Sequence, residues 1–241
     1  MNDIFGKALL DYQHGDYTED IRTETNISEE DVLPLPYLFR DYPEMPNLEK
    51  TALDRSYGKV LDVGCGSGNH SLYLQKKGLD VKALDTSEGA IEVCRLRGVK
   101  NAYVEDILQH QDEQYDTILL LMNGTGIFQK LELISTYLKQ LKSLLKVNGQ
   151  MLIDSSDLRY MYPKGVEQGS IMVPGELNYY GELTYLIHYK EWSSDPFPML
   201  YLDEHTFRNY CDENGLHFEV IANGENYDYL ARITIAENSR S

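Results

Sequence analysis

The sequence predicts an α/β fold built on a mostly parallel sheet, and three features carry that prediction. Short apolar runs alternate with helical stretches from Lys59 to Asp154, the order that a parallel sheet with right-handed crossovers requires. The run Tyr115-Asp-Thr-Ile-Leu-Leu-Leu-Met-Asn123 has a continuous apolar centre, which suits a strand covered on both faces. Between the first strand and the first helix of the series stand three glycines at alternate positions, Gly64, Gly66 and Gly68.

Asp3 to Leu10 reads as a short helix. From there to Asn47 no strong period follows. Four prolines between Pro34 and Pro46 preclude a continuous helix, so this part reads as an arm laid over the main domain. Asn47 reads as the N-cap of a helix from Leu48 to Tyr57, closed by Gly58. Val60 to Val63 is the first strand, and Asn69 to Lys77 a helix that stops at Gly78. Asp80 to Asp85 is a second strand; Ser87 caps a helix through Leu96, with Gly98 as its stop. Asn101 to Asp106 is a third strand and Tyr115 to Asn123 a fourth. Ile127, Leu131, Ile134, Leu138, Leu141 and Leu145 form one apolar stripe, which predicts a long helix from Ile127 to Lys146 ended by Asn148-Gly149. Gln150 to Asp154 is a fifth strand.

The alternation then breaks. Residues 155–202 are rich in tyrosine, with a β-like run from Glu182 to Lys190. It resumes with a helix from Asp203 to Asn214 and two strands, His217 to Ala222 and Asp228 to Ile235, joined by a turn at Asn223-Gly-Glu-Asn226 and so paired antiparallel. Glu237 to Ser241 is a polar tail. The division expected is an arm or lid over residues 1–47, then one domain over 48–241 with an insertion at about 155–202.

Charge and cysteine usage narrow the partners. The chain has 241 residues and a formal net charge of −17, which repels phosphate backbones and anionic membranes and weighs against nucleic acid or lipid as substrate. There is no apolar run of transmembrane length, and Met1-Asn-Asp-Ile-Phe is not a signal peptide. Three scattered cysteines, Cys65, Cys94 and Cys211, suit a reducing cytoplasm without a disulfide framework.

The glycine turn discriminates between ligands. A strand, a glycine-rich turn and a helix form half of a nucleotide-binding βαβ unit, with backbone N–H groups and the positive end of the helix turned to the ligand. Dinucleotide-binding turns read G-x-G-x-x-G, whereas here the third glycine falls two residues after the second and Asn69 stands at the third place after Gly66. With Asp62 two residues ahead of Gly64, the stretch Asp62-Val-Gly-Cys-Gly-Ser-Gly68 resembles the first motif of class I S-adenosylmethionine-dependent methyltransferases. The resemblance covers Lys59 to Asp154 well and the last helix and two strands in outline. It departs at Val147-Asn148-Gly149, where the family often has Pro-Gly-Gly. It implies a Rossmann-like, doubly wound, seven-stranded sheet with the last strand antiparallel, S-adenosyl-L-methionine as cofactor, and methyl transfer as the activity.

Ligands of such sheets bind outside the carboxyl ends of the strands. Asp85, with Thr86 beside it, ends the second strand, where a carboxylate can accept two hydrogen bonds from a ribose diol. The resemblance implies that Asp106 takes the adenine amino group, with Ile107 packed on the ring. It also implies that Asp62 helps hold the methionine end; an ordering role in the turn is the alternative. Gly64, Cys65, Gly66 and Gly68 form the turn, and Asn123 lies beside the place of the methyl group.

Methyl transfer from a sulfonium is an in-line displacement, which needs alignment and exclusion of water but no metal and no covalent nucleophile. A base helps only if the acceptor carries a proton. Asp154 is the leading candidate for it, and His188, alternating with apolar neighbours, reads as a packed side chain. No catalytic residue is assigned. The tyrosines Tyr160, Tyr162, Tyr179, Tyr180, Tyr185 and Tyr189 read as half-buried sheet residues or as an acceptor wall. The acceptor expected is a small molecule, with protein as second choice. Two rivals remain: a non-catalytic S-adenosylmethionine-binding or interaction protein, and an NAD-dependent dehydrogenase.

Overall fold

The computed structural model describes residues 3–111, 113–165, 171–173, 175 and 178–236; the polar tail expected from Glu237 lies outside them. Ahead of the glycine turn come α1 (Ile4–His14), β1 (Ile21–Thr25), β2 (Asp31–Leu33), α2 (Leu35–Leu38) and α3 (Asn47–Arg55). Then follow β3 (Lys59–Val63), α4 (Asn69–Lys76), β4 (Asp80–Asp85), α5 (Glu88–Arg97), β5 (Ala102–Val104), β6 (Tyr115–Leu120), α6 (Ile134–Ser143) and β7 (Leu145–Ser156). The chain continues through β8 (Glu182–Tyr189), β9 (Trp192–Ser193), β10 (Phe197–Leu200), α7 (Glu204–Glu213), β11 (Leu216–Asn223) and β12 (Asp228–Ile235).

The main sheet has seven strands in the order β11-β12-β7-β6-β3-β4-β5. Strands β3 to β7 are parallel, and β12 runs antiparallel to both β7 and β11. The fold is therefore the doubly wound α/β fold that the sequence predicts. Its strands read as apolar runs because both faces are covered. Ile118 and Leu120 of β6 belong to one core, while Leu119 belongs to the core on the opposite face. The chain builds β3, β4 and β5 toward one edge and β6 and β7 toward the other, so the order reverses between β3 and β6. That switch point opens a crevice at the carboxyl ends.

The long helix from Ile127 to Lys146 does not form. Its first third is two 3₁₀ turns, Gly124–Phe128 and Leu131–Leu133, and only Ile134–Ser143 is α-helical. Gln129 breaks the run with φ 66°, and the Leu131 N–H donates to the Glu182 carboxylate at 2.7 Å. Ile127 and Leu131 kept helical spacing in sequence while the chain used another turn. Asn148-Gly149 does not end a helix either; both lie within β7, where Asn148 has φ 68° and the pairing with β6 shifts register. Asn47 is the first residue of α3, and Pro46 takes the cap position. The third strand stops at Val104, which leaves Asp106 in the following turn.

A second, antiparallel sheet has the order β10-β8-β1-β2, with β9 on β8. The arm thus contributes strands, which its sequence did not suggest; β1 pairs with β8 of the tyrosine-rich segment and β2 pairs with β1. Arg22 pairs with His188 and Thr25 with Tyr185. Helix α1 fastens this sheet to the main domain. Ile4, Ala8 and Leu9 pack with Ile21, Ala90, Val93 and Tyr189, each larger side chain contributing about 1.5–3 kcal/mol on burial. Asp3 ties the two helices together, accepting hydrogen bonds from Gly6 N, Ser87 Oγ and Gly89 N.

Candidate active site

The glycine turn is held from below. Gly64 N and Cys65 N both donate to Leu84 O, at 2.8 and 3.1 Å. Gly66 N donates to Asp85 Oδ2 at 2.9 Å, and Ser87 N donates to Asp85 Oδ1 at 2.9 Å. Burial pushes the Asp85 carboxyl up, and these two N–H groups oppose the shift. Each oxygen has a second lone pair for a ligand. Gly66 has φ 54°, and a Cβ built on it meets no atom within 4 Å. The turn therefore presents bare backbone to open space, which is the cradle a nucleotide-like cofactor needs.

Two adjoining cavities lie on this turn. The first, about 550 Å³, is lined by Gly64, Asp85, Thr86, Asp106, Ile107 and Asn123. The second, about 450 Å³, is lined by Gly64, Cys65, Gly66, His70, Asp85 and Asn123 below, and by Tyr185, Phe197, Met199 and Tyr201 above. Eight of the ten residues singled out in the sequence thus line one cavity or both. Asp62 and Gly68 line neither. Asp62 is buried beneath the turn, where Ser71 Oγ donates to its Oδ2 at 2.6 Å; burial pushes its carboxyl up. A Cβ at Gly68 would lie 2.9 Å from both Cys94 Sγ and Val99 Cγ2, so that glycine permits close packing on α5.

Asp154 is engaged by backbone. Its Oδ2 accepts from Met122 N and Asn123 N at 3.1 and 3.2 Å, and its Oδ1 from Gly124 N at 2.8 Å. Met122 and Asn123 have φ 66° and 60°, so the carboxylate holds a left-handed turn that walls both cavities. Burial pushes its pKa up to about 6 against those donors. The base candidate of the sequence thus has both oxygens engaged by backbone N–H groups. His188 lies on the outer face of β8, with Nδ1 2.7 Å from Ser193 Oγ, and lines neither cavity. Of the tyrosines, Tyr185 lines the second cavity and shares a 2.6 Å hydroxyl contact with Tyr201. Tyr179 and Tyr180 both donate to Asp203, and Tyr162 donates to Tyr180 O.

A third cavity, about 590 Å³, opens outward from Asp31, Tyr185 and Tyr201 and is walled by Glu29, Glu30 and Asp154. Of the roof, sequence reading named Tyr185 and missed Phe197, Met199 and Tyr201. It also missed a buried network behind the turn. His70 Nε2 lies 2.7 Å from Glu49 Oε2, and Arg40 binds both Glu49 and Tyr37 O. Burial alone would lower the His70 pKa, but the bond to Glu49 and the charges of Asp62 and Glu49 raise it above the usual value.

The family model described as tellurite resistance protein TehB matches residues 48–195. The chain belongs to the TehB family. With that family it belongs to the class I S-adenosylmethionine-dependent methyltransferases. A structure of an S-adenosylmethionine-dependent methyltransferase from Bacteroides fragilis, in complex with S-adenosyl-L-homocysteine, is similar over 97% of this chain and 95% of that one, with TM-score 0.89 and 42% identity. A methyltransferase structure from Clostridium acetobutylicum covers 84% of this TehB-family chain and 95% of its own at 15% identity and TM-score 0.57, a likeness of fold alone. The ubiquinone biosynthesis O-methyltransferase of Rickettsia conorii is 28% identical over 119 residues, which is 47% of this chain and 40% of that relative. The chain thus matches less than two thirds of that curated relative's length.

Proposed function

We propose that this protein transfers a methyl group from S-adenosyl-L-methionine to a small-molecule acceptor. The observation that carries the reading is the pair of cavities joined across Gly64, Asp85 and Asn123 at the carboxyl ends of β3, β4 and β6. In this reading Asp85 accepts the ribose hydroxyls, Asp106 accepts the adenine amino group, and Ile107 packs on the ring. Gly66, bare of a side chain, lets the methionine end approach the turn closely. Asp62 and Gly68 support the turn without touching the ligand.

S-adenosylmethionine supplies a methyl group on a positively charged sulfur, which an acceptor lone pair displaces in line. The chain's own part is to align and to exclude water. The Asp154-bound turn fixes Met122 and Asn123, and Phe197 and Met199 close over them. Residues 1–47 and the insertion act together as the lid, since their strands share one sheet. An acceptor enclosed under such a roof has to be small. The curated relative is named for ubiquinone biosynthesis and the family for tellurite resistance, so the acceptor class rests on the cavity. Buried free thiols fit work in the cytoplasm. Among the described residues no helix is long and apolar enough to cross a membrane.

The test is a transfer assay with labelled S-adenosylmethionine against pooled small molecules, beside calorimetry with S-adenosylhomocysteine. Binding together with acceptor-dependent label transfer supports the proposal. Binding with no transfer to any pool makes the protein a non-catalytic binder.

A further inference from the structure

The two cavities meet at Gly64, Asp85, Met122 and Asn123, so a ligand with its nucleoside in the first reaches the second with its other end. Among the described residues the wall of the second cavity includes two carboxylates, Asp31 and Asp85, and a single side chain able to carry positive charge, His70. His70 is the second residue of α4, and its side chain is only 9% exposed. Its Nε2 is fixed on Glu49, which Arg40 holds in turn while stacking on the Tyr37 ring. Its Nδ1 has no hydrogen-bond partner among the described residues.

We propose that His70, as an imidazolium fixed by Glu49, binds the α-carboxylate at the methionine end of the cofactor. The proposal rests on the cofactor reading above. A carboxylate entering this cavity, in a chain of net charge −17 and beside Asp31 and Asp85, is favoured by a cation that faces it. Among the described residues His70 is the one lining group that supplies it, and the opening N–H groups of α4 add the positive end of the helix. Glu49 and Asp62 favour the charged ring, whereas burial and Arg40 oppose it; the net shift is upward.

The test compares S-adenosylmethionine with its decarboxylated form, which keeps the nucleoside, sulfonium and amine. Calorimetry on the full chain should show the carboxylate form binding at least tenfold tighter below neutral pH. His70→Gln keeps a donor for Glu49 and should cut that affinity at least tenfold, while the decarboxylated form shifts less than twofold. The wild-type ratio should fall as pH rises through the His70 pKa and stay flat in His70→Gln. Glu49→Gln should move the fall to lower pH. A tenfold preference that survives His70→Gln, or a wild-type ratio independent of pH, overturns the assignment. Failure of both compounds to bind the wild type overturns the cofactor reading itself.

Discussion

Replacing Gly66 with valine separates backbone strain from ligand exclusion. Gly66 sits at φ 54°, where an L residue costs about 1–2 kcal/mol and a branched one more. Nothing lies within 4 Å of a Cβ at that position, so the variant has room to fold. For a chain of this size each kcal/mol lowers Tm by roughly 2–4 °C, so an unbranched residue would lower it by about 2–8 °C and valine by more. Gly78 is the matched control. It has φ 88°, also has nothing within 4 Å, and lies past the end of α4, outside both cavities. Gly78→Val should therefore lose similar stability and keep its affinity for S-adenosylhomocysteine. Gly66→Val should lose at least tenfold, about 1.4 kcal/mol, because its side chain fills the space where the ligand meets backbone. Scanning calorimetry gives the stability, and titration calorimetry the affinity. A folded Gly66→Val that binds within threefold of wild type refutes the reasoning, as does an equal loss in Gly78→Val.

Asp85→Asn should weaken S-adenosylhomocysteine by about 1.5–3 kcal/mol, the worth of hydrogen bonds to a charged group, and NAD should not compete in a displacement titration. Asp154 should leave a mark on stability. Its folded pKa, near 6, lies above the usual carboxylate value, so its titration favours the fold fully below about pH 4 and that contribution is lost as pH rises through about 6. Denaturant midpoints for wild type and Asp154→Asn at several pH values should therefore move against the wild type across that window; a constant difference would show that the group does not titrate there. Tyr185→Phe breaks the hydroxyl contact with Tyr201 in the roof, and should alter turnover once an acceptor is in hand while the cofactor affinity stays within about threefold.

What could be read from sequence was what lies close together in sequence. The glycine turn, the acid at the end of β4 and the buried runs of β3 and β6 are each specified by a few consecutive residues, and the structure brings them to one crevice. The stripe from Ile127 to Leu145 misled because Glu182, more than fifty positions away, takes the Leu131 N–H that a helix would have used. Strands β1 and β2 are short and polar, Ile21-Arg-Thr-Glu-Thr25 and Asp31-Val-Leu33, and carry no alternation. They exist because β8 pairs with β1 across the length of the chain, and β1 in turn pairs with β2. The Arg40–Glu49–His70 network draws one residue each from the arm, α3 and α4, so no spacing announces it. The roof residues Met199 and Tyr201 acquire their meaning only when the second sheet folds over the first.

The most direct test of the central claim is a crystal structure with S-adenosylhomocysteine bound. The account places the adenine against Ile107 and Asp106, the ribose hydroxyls on Asp85, the sulfur beside Asn123, and the amino-acid end in the cavity over Gly66. Ligand found in the acidic outer cavity beyond Tyr201, or no ligand at a saturating concentration, would contradict it.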